Sequence, residues 1–363
     1  MFHKKTIRDV DIKGQTVLVR TDFNVPLQLD PDTNEQLVAS NLRIRESLPT
    51  IQYLLKHQAA KIVLISHLGR PDGKRDQKLS LGLVAQELAE ILPGTPVNFV
   101  DDVSGPEVEM AVEDLPEGGI LLLENLRFSP HEEGNSESFA QEIVDSTHAD
   151  LFVQDGFAVV HRAHASTVAI TRLIPSVAGL LLEKEVITLT KVLESPNRPL
   201  VVVIGGAKVA DKQPLIDEFL PIADQVFVGG KIAADGYEAS NDKVYVAEDF
   251  DETETGEKLD IGPVSTTKLI EMIQSAATVL WCGVLGKVED AAYATSSTIL
   301  AKFLGEHPVI ESIVCGGDTA GFVVQLREDD LSLHYTLIST GGGAALELLT
   351  HQDLPGLDGL ESA

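Results

Sequence analysis

Apolar runs with no polar alternation recur along nearly the whole chain, each followed by a helical pattern, and this repeat restricts the fold more than any other feature. Leu200-Val201-Val202-Val203-Ile204 and Ile120-Leu121-Leu122-Leu123 are of this kind. A strand that is apolar on both faces has to be covered on both, as in a parallel sheet flanked by helices. Strands are predicted at Thr16–Arg20, Lys61–Ser66, Val97–Val100, Ile120–Glu124, Leu151–Gln154, Leu200–Ile204, Gln225–Val228, Lys243–Ala247, Thr278–Trp281, Ser312–Cys315 and Tyr335–Ile338. Helical periodicity covers Arg43–Lys56, Ser80–Ile91, Ser136–Ser146, Thr266–Ser275 and Ala291–Leu304. The expected class is α/β with doubly wound parallel sheets.

At 363 residues the chain is long enough for two such domains. The boundary is expected in the helical pattern Ala178–Leu193, because Ser195-Pro196-Asn197-Arg198-Pro199 stops a helix and starts a new unit. This puts a first domain over residues 1–177, a connector helix over 178–195 and a second domain over 196–349. Residues 241–260 hold eight acids against Lys243 and Lys258 and are expected to form a solvated loop.

No apolar run approaches the roughly 20 residues of a membrane helix, and the N-terminal stretch lacks the apolar core of a signal peptide. A cytoplasmic protein without a membrane partner is expected. Two cysteines, Cys282 and Cys315, make no disulfide framework and match no zinc spacing, which suits a reducing compartment. The formal charge of −28 repels a phosphate backbone, so nucleic acid is not an expected partner. Within this acidic chain, nine of the eleven arginines lie at or before Arg172. Guanidinium suits bidentate recognition of carboxylate and phosphate, so a small anionic ligand is expected in the first half.

In the second half, five glycine-bearing segments follow predicted strands: Gly205-Gly206-Ala207-Lys208, Gly229-Gly230-Lys231, Cys282-Gly283-Val284-Leu285-Gly286, Gly316-Gly317-Asp318-Thr319 and Gly341-Gly342-Gly343. The carboxyl ends of parallel strands form the ligand crevice, and helix N-termini there present unpaired N–H groups to anions. Five such turns point to a polyphosphate. Neither a Walker A loop nor a G-x-G-x-x-G fingerprint is present, so a nucleotide would be held in another way. Lys208 and Lys212, at i and i+4, are placed to face phosphates. Asp318 is placed to hold Mg²⁺, a hard cation that takes carboxylate, water and phosphate oxygens.

The informative strings of the first half are Arg20-Thr21-Asp22-Phe23-Asn24-Val25-Pro26, Ser66-His67-Leu68-Gly69-Arg70-Pro71, Glu124-Asn125-Leu126-Arg127-Phe128 and His161-Arg162-Ala163-His164. With Arg43 they can bring several cations to one crevice. His161 and His164 could instead be metal ligands, but no third ligand stands at matching spacing, and a phosphate site is the better reading. These strings, with GGAKVADK at 205–212, GGDT at 316–319 and STGGGAALELL at 339–349, resemble phosphoglycerate kinases from end to end.

The resemblance implies two Rossmann-like parallel-sheet domains joined by a connector helix, with the tail 350–363 returning to the first domain. It implies reversible phosphoryl transfer between 1,3-bisphosphoglycerate and MgADP, giving 3-phosphoglycerate and MgATP, by a monomer that closes about its hinge. Matched residue by residue, Asp22, Asn24, Arg43, His67, Arg70, Arg127 and Arg162 would hold the phosphoglycerate. Gly206, Lys208, Lys212, Glu289, Gly317, Asp318 and Thr319 would hold the adenine nucleotide, with Asp318 on Mg²⁺ and Glu289 on the ribose. The catalytic candidates are Arg43, Lys212 and the N–H groups of Gly341, Gly342 and Gly343.

The chain departs from the family pattern at four places. Cys282 stands where the family has Asn, Lys231 replaces a third glycine, the stretch between Lys231 and Asp260 is shortened, and Val159-Val160, or Ala158-Val159 by a tighter alignment, replaces Gly-Thr before the HRAH string. Three of the four fall in the nucleotide half. The alternative function is therefore a kinase-fold regulatory protein that binds phosphoglycerate with weak or no catalysis.

Overall fold

A computed structural model describes every residue except Met1, Asp32, Ala207, Lys208, Ser240, His351 and Gln352, and leaves out the side chains of Val209, Ala210 and Asp211. The expected role of Lys208 therefore lies outside the described residues. The chain divides into two compact units, Met1–Val186 with Asp353–Ala363, and Ile187–Gln352.

The first unit runs β1 (Thr16–Arg20), β2 (Leu27–Leu29), β3 (Gln36–Val38), α1 (Leu42–Lys56), β4 (Lys61–Ile65), α2 (Gly82–Ile91), β5 (Val97–Val100), α3 (Pro106–Asp114), β6 (Gly119–Leu123), α4 (Pro130–Glu133), α5 (Glu137–Thr147), β7 (Leu151–Gln154), β8 (Ser176–Ala178) and the start of α6 (Leu180–Glu194). Its main sheet has the order β5-β6-β4-β1-β7-β8, with every neighbouring pair parallel. Alternate residues of each strand enter opposite cores. Val17, Val19, Ile62, Leu64, Ile120 and Leu122 pack with Ile51 and Leu54 of α1 and Val84 and Leu88 of α2. Leu18, Val63, Ile65, Leu121 and Leu123 pack with Val108 and Val112 of α3 and Phe139 and Ile143 of α5. Each such side chain contributes about 1.5 to 3 kcal/mol on burial. That is why these strands carry no polar alternation.

The second unit continues with the rest of α6, β9 (Leu200–Ile204), α7 (Val209–Phe219), β10 (Gln225–Val228), α8 (Gly230–Ala234), β11 (Val244–Val246), β12 (Phe250–Glu252), β13 (Lys258–Ile261), α9 (Pro263–Ile273), β14 (Thr278–Cys282), α10 (Thr295–Glu306), β15 (Glu311–Cys315), α11 (Gly317–Asp329), β16 (Leu337–Ile338) and α12 (Gly343–Leu349). Its parallel sheet is ordered β11-β10-β9-β14-β15-β16. Counted from its own first strand this is 3-2-1-4-5-6, the doubly wound order, which puts a topological switch point between β9 and β14. After α12 the chain returns to the first unit: Lys4 bridges Ser362, and the Gly356 N–H donates to Val160 O at 2.8 Å.

The solvated loop expected over 241–260 is instead largely built structure. β12 and β13 form an antiparallel hairpin with a bulge between Asp251 and Glu252. Two of its acids are helix caps. Asp249 accepts the N–H groups of Val264 and Ser265 at 2.9 and 2.8 Å at the start of α9. Asp260, buried, accepts the Ser296 N–H at 3.0 Å at the start of α10. A carboxylate at a helix N-terminus satisfies N–H groups that have no partner within the helix. Among the described residues, no helix is long and apolar enough to cross a membrane.

Candidate functional site

In the first unit the loops after β1, β4, β6 and β7 meet at the carboxyl edge of the sheet. Arg20, fully buried at the end of β1, donates to Thr21 O at 3.2 Å and lies 3.1 Å from His67 Nδ1. Guanidinium has no acceptor, so His67 Nδ1 accepts and its proton sits on Nε2. Asp22 is ion-paired with Arg43, from the first turn of α1. Asn24 Oδ1 accepts the Gly69 N–H at 2.8 Å, and Arg127 Nη1 donates to Gly69 O at 2.9 Å, which ties three loops together. Arg70 and Arg162 are exposed, and Arg162 Nε donates to His161 Nε2 at 3.0 Å.

The electrostatics of this edge are those of a crowded cationic cluster. Burial, then Arg20, Arg127, Arg43 and His164, hold His67 well below the ordinary histidine range. Burial, then Arg20, Arg127, Arg162 and His161, take His164 down to about 3. Arg20 itself is lowered to about 10 by burial, with Glu132 opposing and Arg127 adding to the fall. Both histidines are therefore neutral near pH 7, and the positive charge belongs to the arginines. Cations that depress one another in this way gain when an anion joins them.

Some residues of the motifs are framework. Glu124 accepts from Ser80 Oγ and the N–H groups of Leu81 and Asn125, while Asn125 Nδ2 donates to Leu68 O and Leu79 O. Sequence reasoning did not find Glu132, which is fully buried, accepts from Ser166 Oγ at 2.6 Å and lies 4.0 Å from Arg20. Nothing in its local string, Pro-His-Glu-Glu, marks it as the counter-charge of a distant arginine. Arg20 stands in one of the first-half motifs, and its complete burial beside Glu132 marks it as framework.

In the second unit the five glycine turns lie against one another. A Cβ at Gly230 would meet Gly206 N at 2.9 Å, one at Gly206 would lie 4.0 Å from Gly283 Cα, one at Gly316 3.9 Å from Gly283 N, and one at Gly342 3.9 Å from Gly317 N. The closest approach is at the switch point. A side chain at Gly205 would collide with the carbonyl oxygens of Gly283 and Val284, so only glycine lets these two turns touch. Lys212 reaches this row from α7, its Cε 3.5 Å from a Cβ placed on Gly206. Gly341 donates its N–H to Ser339 Oγ at 3.2 Å, Gly342 has φ +46°, and Gly343 opens α12. Thr319 is fully buried, and its Oγ1 accepts the Gly283 N–H at 3.0 Å, which fixes the turn after β14.

A cleft of about 310 Å³ opens beside this row, lined among others by Gly206, Gly230, Lys231, Phe250, Lys258, Leu259, Leu285, Glu289 and Asp318. The hairpin β12–β13 thus supplies part of the wall, including Phe250, Lys258 and Leu259, none of which was a sequence candidate. Their signal was hidden among the acids that flank them. Cys282 has no exposed surface and pairs in register with the equally buried Cys315. A hydrogen bond with Cys315 holds the Cys282 thiol below its ordinary value despite burial, with the charge of Lys212 helping.

Asp318 is exposed in the first turn of α11, beside the turns suited to phosphate. A single carboxylate in a phosphate cleft fits Mg²⁺, which completes its octahedron with water and phosphate oxygens rather than a protein cage. Among the described residues no three His, Cys, Asp or Glu side chains form a metal cluster, at His161 and His164 or elsewhere.

The sequence model of the phosphoglycerate kinase family matches residues 7–245 and 232–352. Phosphoglycerate kinase of Coprothermobacter proteolyticus is 40% identical over 396 residues, covering 97% of this chain and 98% of that protein. That of Roseiflexus sp. is 39% identical over 406 residues, covering 99% of this chain and 100% of that protein. Both alignments are longer than the 363 residues present, so the relatives carry segments that this chain lacks. Among solved structures, phosphoglycerate kinase from Pyrococcus horikoshii is similar with a TM-score of 0.82 at 25% identity, over 99% of this chain and 98% of that one. The enzyme from Coxiella burnetii gives 0.75 at 28% identity, over 98% of each chain.

Proposed function

The chain belongs to the phosphoglycerate kinase family, and on that premise we propose how its two units share the reaction. It is a phosphotransferase with a carboxyl acceptor, moving a phosphoryl group reversibly between 1,3-bisphosphoglycerate and ADP to give 3-phosphoglycerate and ATP, a step of glycolysis. The first unit holds the phosphoglycerate through Asp22, Asn24, Arg43, His67, Arg70, Arg127 and Arg162. The observation that carries this assignment is the crowding of Arg20, Arg43 and Arg127 about the neutral His67, where burial first and neighbouring guanidinium groups after it lower Arg20 and Arg127, and a phosphate and carboxylate would add counter-charge.

The second unit holds the nucleotide in the cleft beside the glycine row, with Glu289 at the ribose and Lys212, Asp318 and the turns at Gly206 and Gly317 at the phosphates. Thr319 acts here through the turn that it fixes. Asp318 would hold Mg²⁺, which would supply neutralisation of phosphate charge. The first unit supplies Arg43, and the second supplies Lys212 with the N–H groups of Gly341, Gly342 and Gly343, to stabilise charge on the transferring phosphoryl. No covalent intermediate is needed, because phosphoryl transfer is governed by positioning and charge stabilisation. Closure about the connector helix expected over 178–195 brings donor and acceptor into line and excludes water.

A coupled assay with 3-phosphoglycerate, ATP and Mg²⁺ tests the whole reading. Folded protein that binds phosphoglycerate but turns over no nucleotide would favour the regulatory alternative. The division of labour has its own test. Arg127→Ala and Arg162→Ala are each expected to weaken phosphoglycerate binding by about 1.5 to 3 kcal/mol, the worth of one charge-assisted contact, with ADP binding unchanged. Equal losses for both ligands in calorimetry would contradict it.

A further inference from the structure

The nucleotide cleft contains a cation that the phosphate chemistry does not use. Lys258 lies on β13 with its Nζ 4.4 Å from the centroid of the Phe250 ring, and both side chains line the cleft. Phe250 is the only aromatic side chain among the described lining residues. Among the described residues Lys258 has no ion-pair partner, although Glu252 stands opposite it in the hairpin. One face of this ring is thus covered by an ammonium group. Lysine is long and flexible, so a base entering the cleft can displace it from the ring, but the ammonium then has to find new partners at the edge of that base.

From this geometry we infer that Lys258 sets base preference: the cleft takes a 6-oxopurine nucleotide more tightly than an adenine nucleotide. The inference rests on the nucleotide occupying this cleft, as proposed above. An ammonium group offers three donors and no acceptor. Hypoxanthine and guanine present O6 and N7 side by side as acceptors, whereas adenine presents N7 beside the N6 amino donor. Against a 6-oxopurine the ammonium group makes charge-assisted hydrogen bonds. Against adenine it faces another donor and keeps at most one partner. ATP remains a substrate, because the phosphates are held elsewhere in the cleft.

Inosine and adenosine nucleotides differ essentially at this edge and are the probes of choice. The wild-type protein is expected to use ITP with a kcat/KM about tenfold above ATP, the size of one charge-assisted hydrogen bond on a half-open surface. The difference should reside in KM, because the base is remote from the transferred phosphoryl. In Lys258→Met the ITP to ATP ratio should fall to about one, and in Lys258→Arg, which keeps the donors, it should persist. A wild-type ratio of one or below, or a wild-type ratio retained in Lys258→Met, would overturn the proposal. Calorimetry with IDP and ADP on the same three proteins reads the ratio without turnover. Both nucleotides binding equally sinks only the role of Lys258, whereas neither binding sinks the placement of the nucleotide as well.

Discussion

Lys212→Ala is expected to lower kcat by about 10² to 10³-fold while leaving the affinity for 3-phosphoglycerate unchanged. The side chain stands over the Gly206 turn, at the switch point where the turns after β9 and β14 touch. Its charge is felt by the buried Cys282 thiol at the end of β14, so the ammonium group reaches the row of glycine turns. In the proposed mechanism this donor works on charge that develops during transfer, and removing one such donor costs about 3 to 4 kcal/mol in comparable sites. In the proposed division of labour phosphoglycerate is held by the other unit, so its dissociation constant should not move. Steady-state kinetics with saturating ATP, together with calorimetry of 3-phosphoglycerate, separates the two. An unchanged kcat would remove Lys212 from the catalytic group.

A second large effect is expected at Asp155, directly after β7. Its carboxyl group is fully buried, accepting from Thr50 Oγ1 at 2.7 Å and from the Leu181 N–H at 3.0 Å, in the first turn of α6. Burial pushes it from its ordinary 3.8 up to about 7, against the hydrogen bonds from Thr50, Leu181 and Leu182. Between those two values the folded protein keeps a proton that the unfolded chain has lost. Stability contributed by the neutral carboxyl is therefore complete below about pH 4 and is lost as pH rises towards 7, by on the order of 4 kcal/mol in all. Asp155→Asn keeps the acceptor oxygen and cannot ionise. Its stability relative to wild type should therefore rise between pH 5 and 8, as read by urea denaturation followed by circular dichroism. Parallel pH profiles for the two proteins would show that Asp155 does not titrate in this range.

The strands were legible where short apolar-rich runs stood apart from the helical patterns around them. Thr16–Arg20, Val97–Val100, Leu151–Gln154, Leu200–Ile204 and Gln225–Val228 occur with the ends predicted. Several of the shortest strands were illegible. β2, β3, β8, β12 and β13 are strands of three or four residues, and in the hairpin β12–β13 the outward positions are Asp251, Glu252 and Lys258. Such a string has the composition of a solvated loop, and only its pairing makes it a wall of the cleft.

By itself the sequence determined the class of fold, the two-unit plan, the family and the glycine and arginine turns proposed to meet phosphate. Each of these depends on residues that are near neighbours in the chain, as apolar runs or as short glycine and arginine motifs. Tertiary structure alone decided which motif residues are tied into the framework. Glu132 meets Arg20 across 112 positions of sequence, Asp155 meets Thr50 across 105, and Gly205 touches Gly283 only because β9 and β14 are neighbours in the sheet. It also decided the environment of Lys258, whose ammonium group covers Phe250 only because the hairpin folds back on itself. The physical reason is that charge, burial and close approach act through space, where partners far apart in the chain leave no periodicity that a local pattern can reveal.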